Sequence, residues 1–209
     1  PGEKLFKIKT KAGRYVTVTA NKSLLVWNEE LQQFREKYTE DIKVGDFVPV
    51  AKNVCDYRPD GGDMDADAEF ERGKCVGDSI DTQLPNEAYI ASKEYIKGVI
   101  TSYFSNHATV SESTIDVTSG DIRLVEDLAF ICSRLNIHAN ISIIDDNPGC
   151  WYSLLQIDGV NGRQFSEQIT LLHPEKNRKM KSIVWTDKMM TIRTLNDVIL
   201  DEIIEMTIV

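Results

Sequence analysis

Alternating apolar and polar positions at both ends of the chain predict β-strands. Residues 5–8, a turn at Lys11-Ala12-Gly13-Arg14 and residues 15–19 form a hairpin pattern. Residues 24–27 and 42–50, the latter with a Gly-Asp turn near its start, predict further strands. The alternation resumes after residue 182, at 183–185 and in the run 198–209. We therefore expect residues 1–50 and 183–209 to be all-β.

The middle of the chain changes to helical periodicity. Six apolar residues recur at helical spacing on one face of a predicted helix that begins near Ser92: Tyr95, Ile96, Val99, Ile100, Tyr103 and Phe104. Asn106-His107-Ala108 ends that helix. The pattern then predicts a strand at 114–118, a helix at 122–135 capped by Ser119 or Asp121, strands at 139–144 and 151–157, and a helix at 162–172. Residues 89–182 therefore predict an α+β domain.

Residues 51–88 separate the two patterns and show almost no periodicity. Between residues 51 and 91, ten Asp and Glu stand against four Lys and Arg. We expect an acidic linker that is partly disordered. Asp63-Met64-Asp65-Ala66-Asp67 has the spacing of a calcium loop but lacks its sixth-position Gly and closing Glu, so a solvated acidic loop is favoured.

Composition predicts a globular protein and argues against a membrane protein or a general nucleic-acid binder. With 209 residues, of which 42% are hydrophobic, the chain is large enough for one large or two small domains. It has no apolar run long enough for a membrane span and begins without a signal-peptide pattern. The net charge of −9 argues against broad nucleic-acid affinity. The four cysteines lack metal-ligand spacing and predict reduced thiols in the cytosol: Cys55, Cys75, Cys132 and Cys150.

Three stretches of the β-rich ends resemble the Hint splicing domain of inteins. These are Arg14 to Lys22, Ile42 to Val50 with its Val-Gly-Asp, and Asp197 to Ile203. The resemblance places Thr19 and Lys22 at the Thr-x-x-His motif, with Lys22 where the family has His. That His helps to strain and protonate the scissile peptide, and a Lys can still donate a hydrogen bond to its carbonyl. An exposed turn residue is an equally open interpretation of Lys22.

The central region is similar to a LAGLIDADG homing-endonuclease domain. The matching stretches are residues 91–110, 128–137 and 171–176. In the family the helix ends in Gly-Asp-Gly, and that Asp holds Mg²⁺. Here the triplet is Asn106-His107-Ala108, which implies poor metal binding and a degenerate nuclease site at His107. A polar helix C-terminus is the favoured alternative for this His.

Only one such helix is visible in the sequence, and the acidic linker takes the place of its partner helix. Basic residues near the helix are candidate DNA contacts: Lys93, Lys97, Arg123 and Arg134.

Together these features predict a mixed fold, an all-β Hint-type domain in two discontinuous segments with an inserted α+β LAGLIDADG-like domain. Such a Hint domain requires residues 5–50 and 183–209 to share one β-structure. Pro1-Gly2 is no splicing nucleophile, and no His-Asn stands at Val209. We expect an intein segment whose splicing is completed by complementary intein fragments, either a split partner or flanking segments. No cofactor is expected, and Mg²⁺ only if the nuclease site is active.

Two alternatives remain open at this point. The first is a LAGLIDADG homing endonuclease or DNA-binding protein. The second is an α/β globular protein without catalysis.

Overall fold

A computed structural model describes residues 4–52, 65–147, 150–186, 193–195 and 198–209. The described residues form a mixed α/β structure with antiparallel sheets. The strands are β1 (Leu5–Thr10), β2 (Tyr15–Thr19), β3 (Ser23–Asn28), β4 (Gln33–Tyr38), β5 (Phe47–Ala51), β6 (Thr109–Val110), β7 (Thr114–Ser119), β8 (Asn140–Asn147), β9 (Cys150–Asp158), β10 (Arg193–Leu195) and β11 (Val198–Ile208). The helices are α1 (Ala66–Ser79), α2 (Lys93–His107), α3 (Ile122–Arg134), α4 (Gly159–Gln168) and α5 (Pro174–Ser182).

The chain divides into two compact units. Unit 1 comprises residues 1–52 and 192–209, and unit 2 comprises residues 53–191. The first unit is therefore discontinuous in sequence, and the second is one continuous segment. Each unit has its own apolar core.

Unit 1 is held together by the last strand. β11 pairs antiparallel with β1, where Phe6 lies opposite Ile208, and with β5, where Ala51 lies opposite Val198. The sheet order is β10-β11-β1-β2, and β3 and β4 form a separate hairpin. Four buried side chains from both segments make the core, since burial removes their apolar surface from water: Ile8, Val26, Ile42 and Ile203. β1, β2, β5, β10 and β11 thus form one sheet from both segments, whereas β3 and β4 lie outside it.

Unit 2 packs helices against a four-stranded antiparallel sheet of order β6-β7-β9-β8. The six α2 residues at helical spacing are all buried, as their periodicity predicts: Tyr95, Ile96, Val99, Ile100, Tyr103 and Phe104. Ser92 caps this helix by accepting a hydrogen bond from the Tyr95 N–H at 3.2 Å. Asp121 caps α3 in the same way. The predictions of α2, α3, β7, β8 and β9 are confirmed to within a few residues.

The prediction of an unstructured linker is wrong for residues 66–79, which form α1. Asp65 caps α1 by accepting from the Asp67 N–H at 3.1 Å, and Asp67 and Glu69 lie in its first turn, where carboxylates suit the helix dipole. The remainder of the suggested calcium loop, Asp63 and Met64, lies outside the described residues, as do residues 53–62.

The prediction of a strand at Ile183, Val184 and Trp185 is also wrong. α5 runs to Ser182, and Ile183 and Trp185 then pack against the core of unit 2. The ring of Trp185 lies directly over Gly162, where a Cβ would approach it to 2.2 Å. These alternating apolar residues therefore pack on the core of unit 2 without forming a strand.

The helix predicted at 162–172 is found at 159–168, as α4.

The structure describes the side chains of two of the four cysteines. Cys75 is an exposed free thiol and Cys132 a buried one, whose burial raises the pKa to about 12. Cys55 and the side chain of Cys150 lie outside the described residues. Among the described residues, every helix is too short or too polar to cross a bilayer.

Candidate functional site

The turn between β2 and β3 brings Thr19 and Lys22 together. Thr19 is half-buried at the end of β2, and Lys22 is exposed. The Lys22 N–H donates to the Thr19 carbonyl at 3.1 Å. The carbonyl of Lys22 accepts two hydrogen bonds from the buried Thr39, at 2.9 Å from its N–H and at 2.7 Å from its hydroxyl. The turn therefore presents an ammonium group on a backbone that is fixed on both sides, and such a group can hydrogen-bond a peptide carbonyl.

A buried carboxylate supports the turn between β1 and β2. Asp201 of β11 is 4% exposed, and its Oδ1 accepts from the Ala12 N–H at 3.1 Å. Its Oδ2 is buried and has no hydrogen-bond partner among the described residues. Burial lowers the pKa of the Arg14 guanidinium, and the negative charge of Asp201 opposes that shift. The sequence gives no indication that the charge of Asp201 acts on Arg14, because 187 residues separate the two in the chain.

A cavity of about 340 Å³ lies beside Arg14 in unit 1. Its walls are mainly apolar side chains of β1, β2, β3 and β5, among them Ile8, Val16, Leu24 and Val48. Among the described strands β2 pairs only with β1, so its second edge is free for another strand. An extended apolar segment could both pair with this edge and fill the cavity.

A second polar cluster lies where α1 and α2 end side by side in unit 2. Asp78, the last residue but one of α1, accepts hydrogen bonds at Oδ1 from the Ser102 hydroxyl and, at 3.0 Å, from Asn106 Nδ2. α1 therefore packs beside α2 where the sequence predicts a linker, and it contributes one carboxylate to the end that the two helices share.

His107 interacts with Tyr103 at this end of α2, whereas Asn106 is the residue bonded to Asp78. It is the exposed last residue of α2, and its ring stacks on that of Tyr103 with centroids 4.4 Å apart and planes inclined by 26°. The buried Tyr103 has its pKa raised by desolvation and, to a smaller extent, by Asp81. This geometry is that of a polar helix end packed on an aromatic ring.

The four basic residues proposed as DNA contacts are engaged within unit 2 to different degrees. Arg134 is 2% exposed and donates to the carbonyl of Tyr89 at 3.1 Å, so the prediction that it contacts DNA is wrong. Arg123 pairs with Asp121 at 2.9 Å, and Lys97 pairs with Glu94 at 2.8 Å. Lys93 is half-buried at the start of α2.

The described residues contain no group of three or more His, Cys, Asp or Glu side chains placed to hold a metal ion. The paired helix ends contribute one carboxylate, Asp78, beside an amide, Asn106. Comparison of the sequence with known protein families and with characterised proteins gives no match.

Proposed function

We propose that this chain is the central part of an intein and takes part in protein splicing, with Thr19 and Lys22 in the splicing site. The observation that carries the proposal is the pairing of β11 with β1 and β5. Two segments separated by all of unit 2 build one β-structure, which is the organisation that a Hint domain with an insert requires. The resemblance of the stretches around Thr19, Gly45 and Asp201 supports the same proposal.

In this proposal Lys22 acts on the scissile peptide bond. The first step of splicing is an acyl shift, in which a Cys or Ser side chain attacks the carbonyl of the preceding residue. The Lys22 ammonium donates a hydrogen bond to that carbonyl and stabilises the negative charge that develops on its oxygen. A complementary intein fragment or flanking segment supplies the nucleophile, and another supplies the Asn that cyclises. The free edge of β2 and the adjacent cavity offer a place for such a segment.

The test is a trans-splicing assay. The chain is mixed with a peptide in which one flank precedes the Cys of an N-terminal intein segment. A second peptide carries a C-terminal intein segment that ends in His-Asn and is followed by the second flank, which begins with Cys or Ser to receive the first. We expect ligated flanks by mass spectrometry, and a loss of rate of roughly a hundredfold in Lys22→Ala. Arg35→Ala, which removes an exposed cation from β4, is the matched control and should splice at the parent rate. Absence of both ligation and complex formation at every concentration contradicts the proposal.

A homing endonuclease is the second candidate, and the α1–α2 pair with Asp78 at its end favours it. The charge of the sheet in unit 2 weighs against it, because β7 and β8 carry the accessible carboxylates Asp116 and Asp145 and β6 to β9 contain no Lys or Arg. A gel-shift and cleavage assay with random duplex DNA, with and without Mg²⁺ and at two salt concentrations, separates the candidates. Salt-sensitive binding with Mg²⁺-dependent cleavage supports the endonuclease.

A further inference from the structure

We propose that Thr39 is the positioning residue of Lys22 and couples it to β11, so that the splicing turn is fixed only when the last strand has docked. This inference rests on the proposed function for its chemical consequence. The geometry that carries it lies wholly in unit 1.

Thr39 holds Lys22 with two donors on one acceptor. Its N–H and its hydroxyl both reach the Lys22 carbonyl, at 2.9 and 2.7 Å, and Thr39 itself is completely buried. On the other side the Lys22 N–H is bound to Thr19 at 3.1 Å. Since the peptide groups on both sides of Lys22 are held, the direction in which its side chain leaves the turn is fixed.

The segment that follows Thr39 is anchored to the last strand. Residues 39–41 form a short 3₁₀ turn, and the buried Ile42 after it packs with Ile203 in the core of unit 1. The Gly45 N–H donates to the Ile203 carbonyl at 2.8 Å, and the Ile203 N–H donates to the Asp46 carbonyl at 2.8 Å. β11 therefore fixes residues 42–46.

The side chain of Asp46 joins residues 45–46 to Lys43 and to β4. Its Oδ2 accepts from the Lys43 N–H at 2.8 Å and from Lys37 Nζ at 2.6 Å, which ties the segment to β4. The order of attachment is thus β11 to residues 45–46, these to residues 39–43, and Thr39 to Lys22. An acyl shift before β11 has docked would leave a thioester or ester that water can hydrolyse, and this connection delays the positioning of Lys22 until that strand is in place.

A simpler interpretation is that Thr39 only extends the β3–β4 ladder, in which Ser23 lies opposite Tyr38. In that case its loss would weaken the hairpin without a specific effect on Lys22. The two interpretations differ in whether a variant can change Lys22 while the thermal stability stays the same.

The test compares Thr39→Val, Thr39→Ser and Asp46→Ala in the full chain, with Thr17→Val on the exposed face of β2 as the control. The first readout is amide hydrogen exchange at Lys22, measured by NMR without splicing peptides. We expect Thr39→Val and Asp46→Ala to speed this exchange by about five- to tenfold. Thr39→Ser and Thr17→Val should exchange at the parent rate.

The second readout is the rate of the acyl shift with the supplied peptides. We expect Thr39→Val to slow it by about five- to tenfold, with Thr39→Ser restoring it at an unchanged melting temperature. Unchanged exchange in Thr39→Val, or failure of Ser to restore the rate, overturns the positioning role. Unchanged exchange in Asp46→Ala overturns the coupling to β11. If the parent chain does not splice, the proposed function fails, and the exchange data still decide whether Thr39 positions Lys22.

Discussion

Asp158 is a carboxyl group whose protonation is set by burial. It ends β9, is 4% exposed, and lies opposite Thr114 of β7. Burial raises its pKa above the ordinary value, and the negative charge of Asp116 raises it further. In the pH range between the unfolded and the folded pKa, the folded chain holds a proton that the unfolded chain has lost. The stability of unit 2 therefore decreases as pH rises through the folded pKa of Asp158.

This sign gives a prediction for Asp158→Asn. An amide keeps the shape of the protonated carboxyl and does not ionise, so the variant should lose the part of the pH dependence that Asp158 contributes. We expect its melting temperature to exceed that of the parent chain at neutral pH and to approach it in acid, as measured by circular dichroism. Asp145→Asn on β8, an exposed site, is the control and should follow the parent curve. A variant that is less stable than the parent at neutral pH contradicts the prediction.

Asn106 places an amide beside the Asp78 carboxylate, at the position where a second carboxylate would complete a pair. Its amide donates to Asp78 at 3.0 Å. In Asn106→Asp two carboxylates would meet at that distance, and repulsion should lower the melting temperature at neutral pH. Mg²⁺ prefers oxygen ligands, so millimolar Mg²⁺ should restore part of the loss. Asn106→Ala removes the hydrogen bond without adding charge, and its melting temperature should be insensitive to Mg²⁺. Equal responses of the two variants would contradict this account.

At the scale of elements, α1 and α2 contact each other through glycines. A Cβ on Gly73 would lie 2.0 Å from the carbonyl oxygen of Tyr95, and one on Gly98 would lie 2.1 Å from that of Phe70. Gly77 meets the backbone of Val99 in the same way, at 2.5 Å. The atoms that a side chain would strike are backbone atoms, which cannot move aside by a change of rotamer. The two helices are therefore as close as their backbones permit.

Gly73→Ala should force α1 away from α2. Overpacking of this kind destabilises by about 1–3 kcal/mol or more, and we expect a lower melting temperature and faster proteolysis of α1 than in the parent chain. Gly120→Ala is the matched control, because a Cβ there has no atom within 4 Å. Equal stability of the two variants would show that the helix contact tolerates a methyl group.

The glycine contact between α1 and α2 explains why the sequence predicts α2 and not α1. α2 has a continuous buried apolar face, whereas the buried residues of α1 are Glu69, Gly73 and Gly77. Hydrophobic periodicity cannot detect a packing surface made of glycine, so the sequence predicts a linker where α1 forms. The turn at Thr19 and Lys22 was accessible through its motif. Thr39 was not, because its contact with Lys22 depends on a segment 17 residues away in the chain.

At the scale of the whole molecule, the chain leaves and re-enters unit 1 at neighbouring points. Ala51 lies opposite Val198, and β10 lies on the other side of β11. The two junctions of unit 2 are thus separated by about two strand spacings, or roughly 10 Å. An eight-residue Gly/Ser linker has a root-mean-square span of about 15 Å, which is enough to join them.

Replacement of residues 53–191 by such a linker should leave unit 1 folded. We expect a cooperative thermal transition and a β-type circular dichroism spectrum, because the core of Ile8, Val26, Ile42 and Ile203 does not include unit 2. The same shortened chain with Ile203→Asp, which buries a charge at a site that is 0% exposed, should lose the transition. A shortened chain without a cooperative transition would contradict the independence of unit 1.

The pairing of Phe6 with Ile208 also determines how long β1 must wait for its partner strand during synthesis. The two partners are about 200 residues apart, and a ribosome that adds 5–20 residues per second needs roughly 10 to 40 s to cover that distance. Throughout this interval β1 has left the ribosome with one edge unpaired, while unit 2 is completed and can fold. A nascent chain of this protein therefore carries an open strand edge for a long time, and it should depend on chaperones more than its stability at equilibrium would suggest.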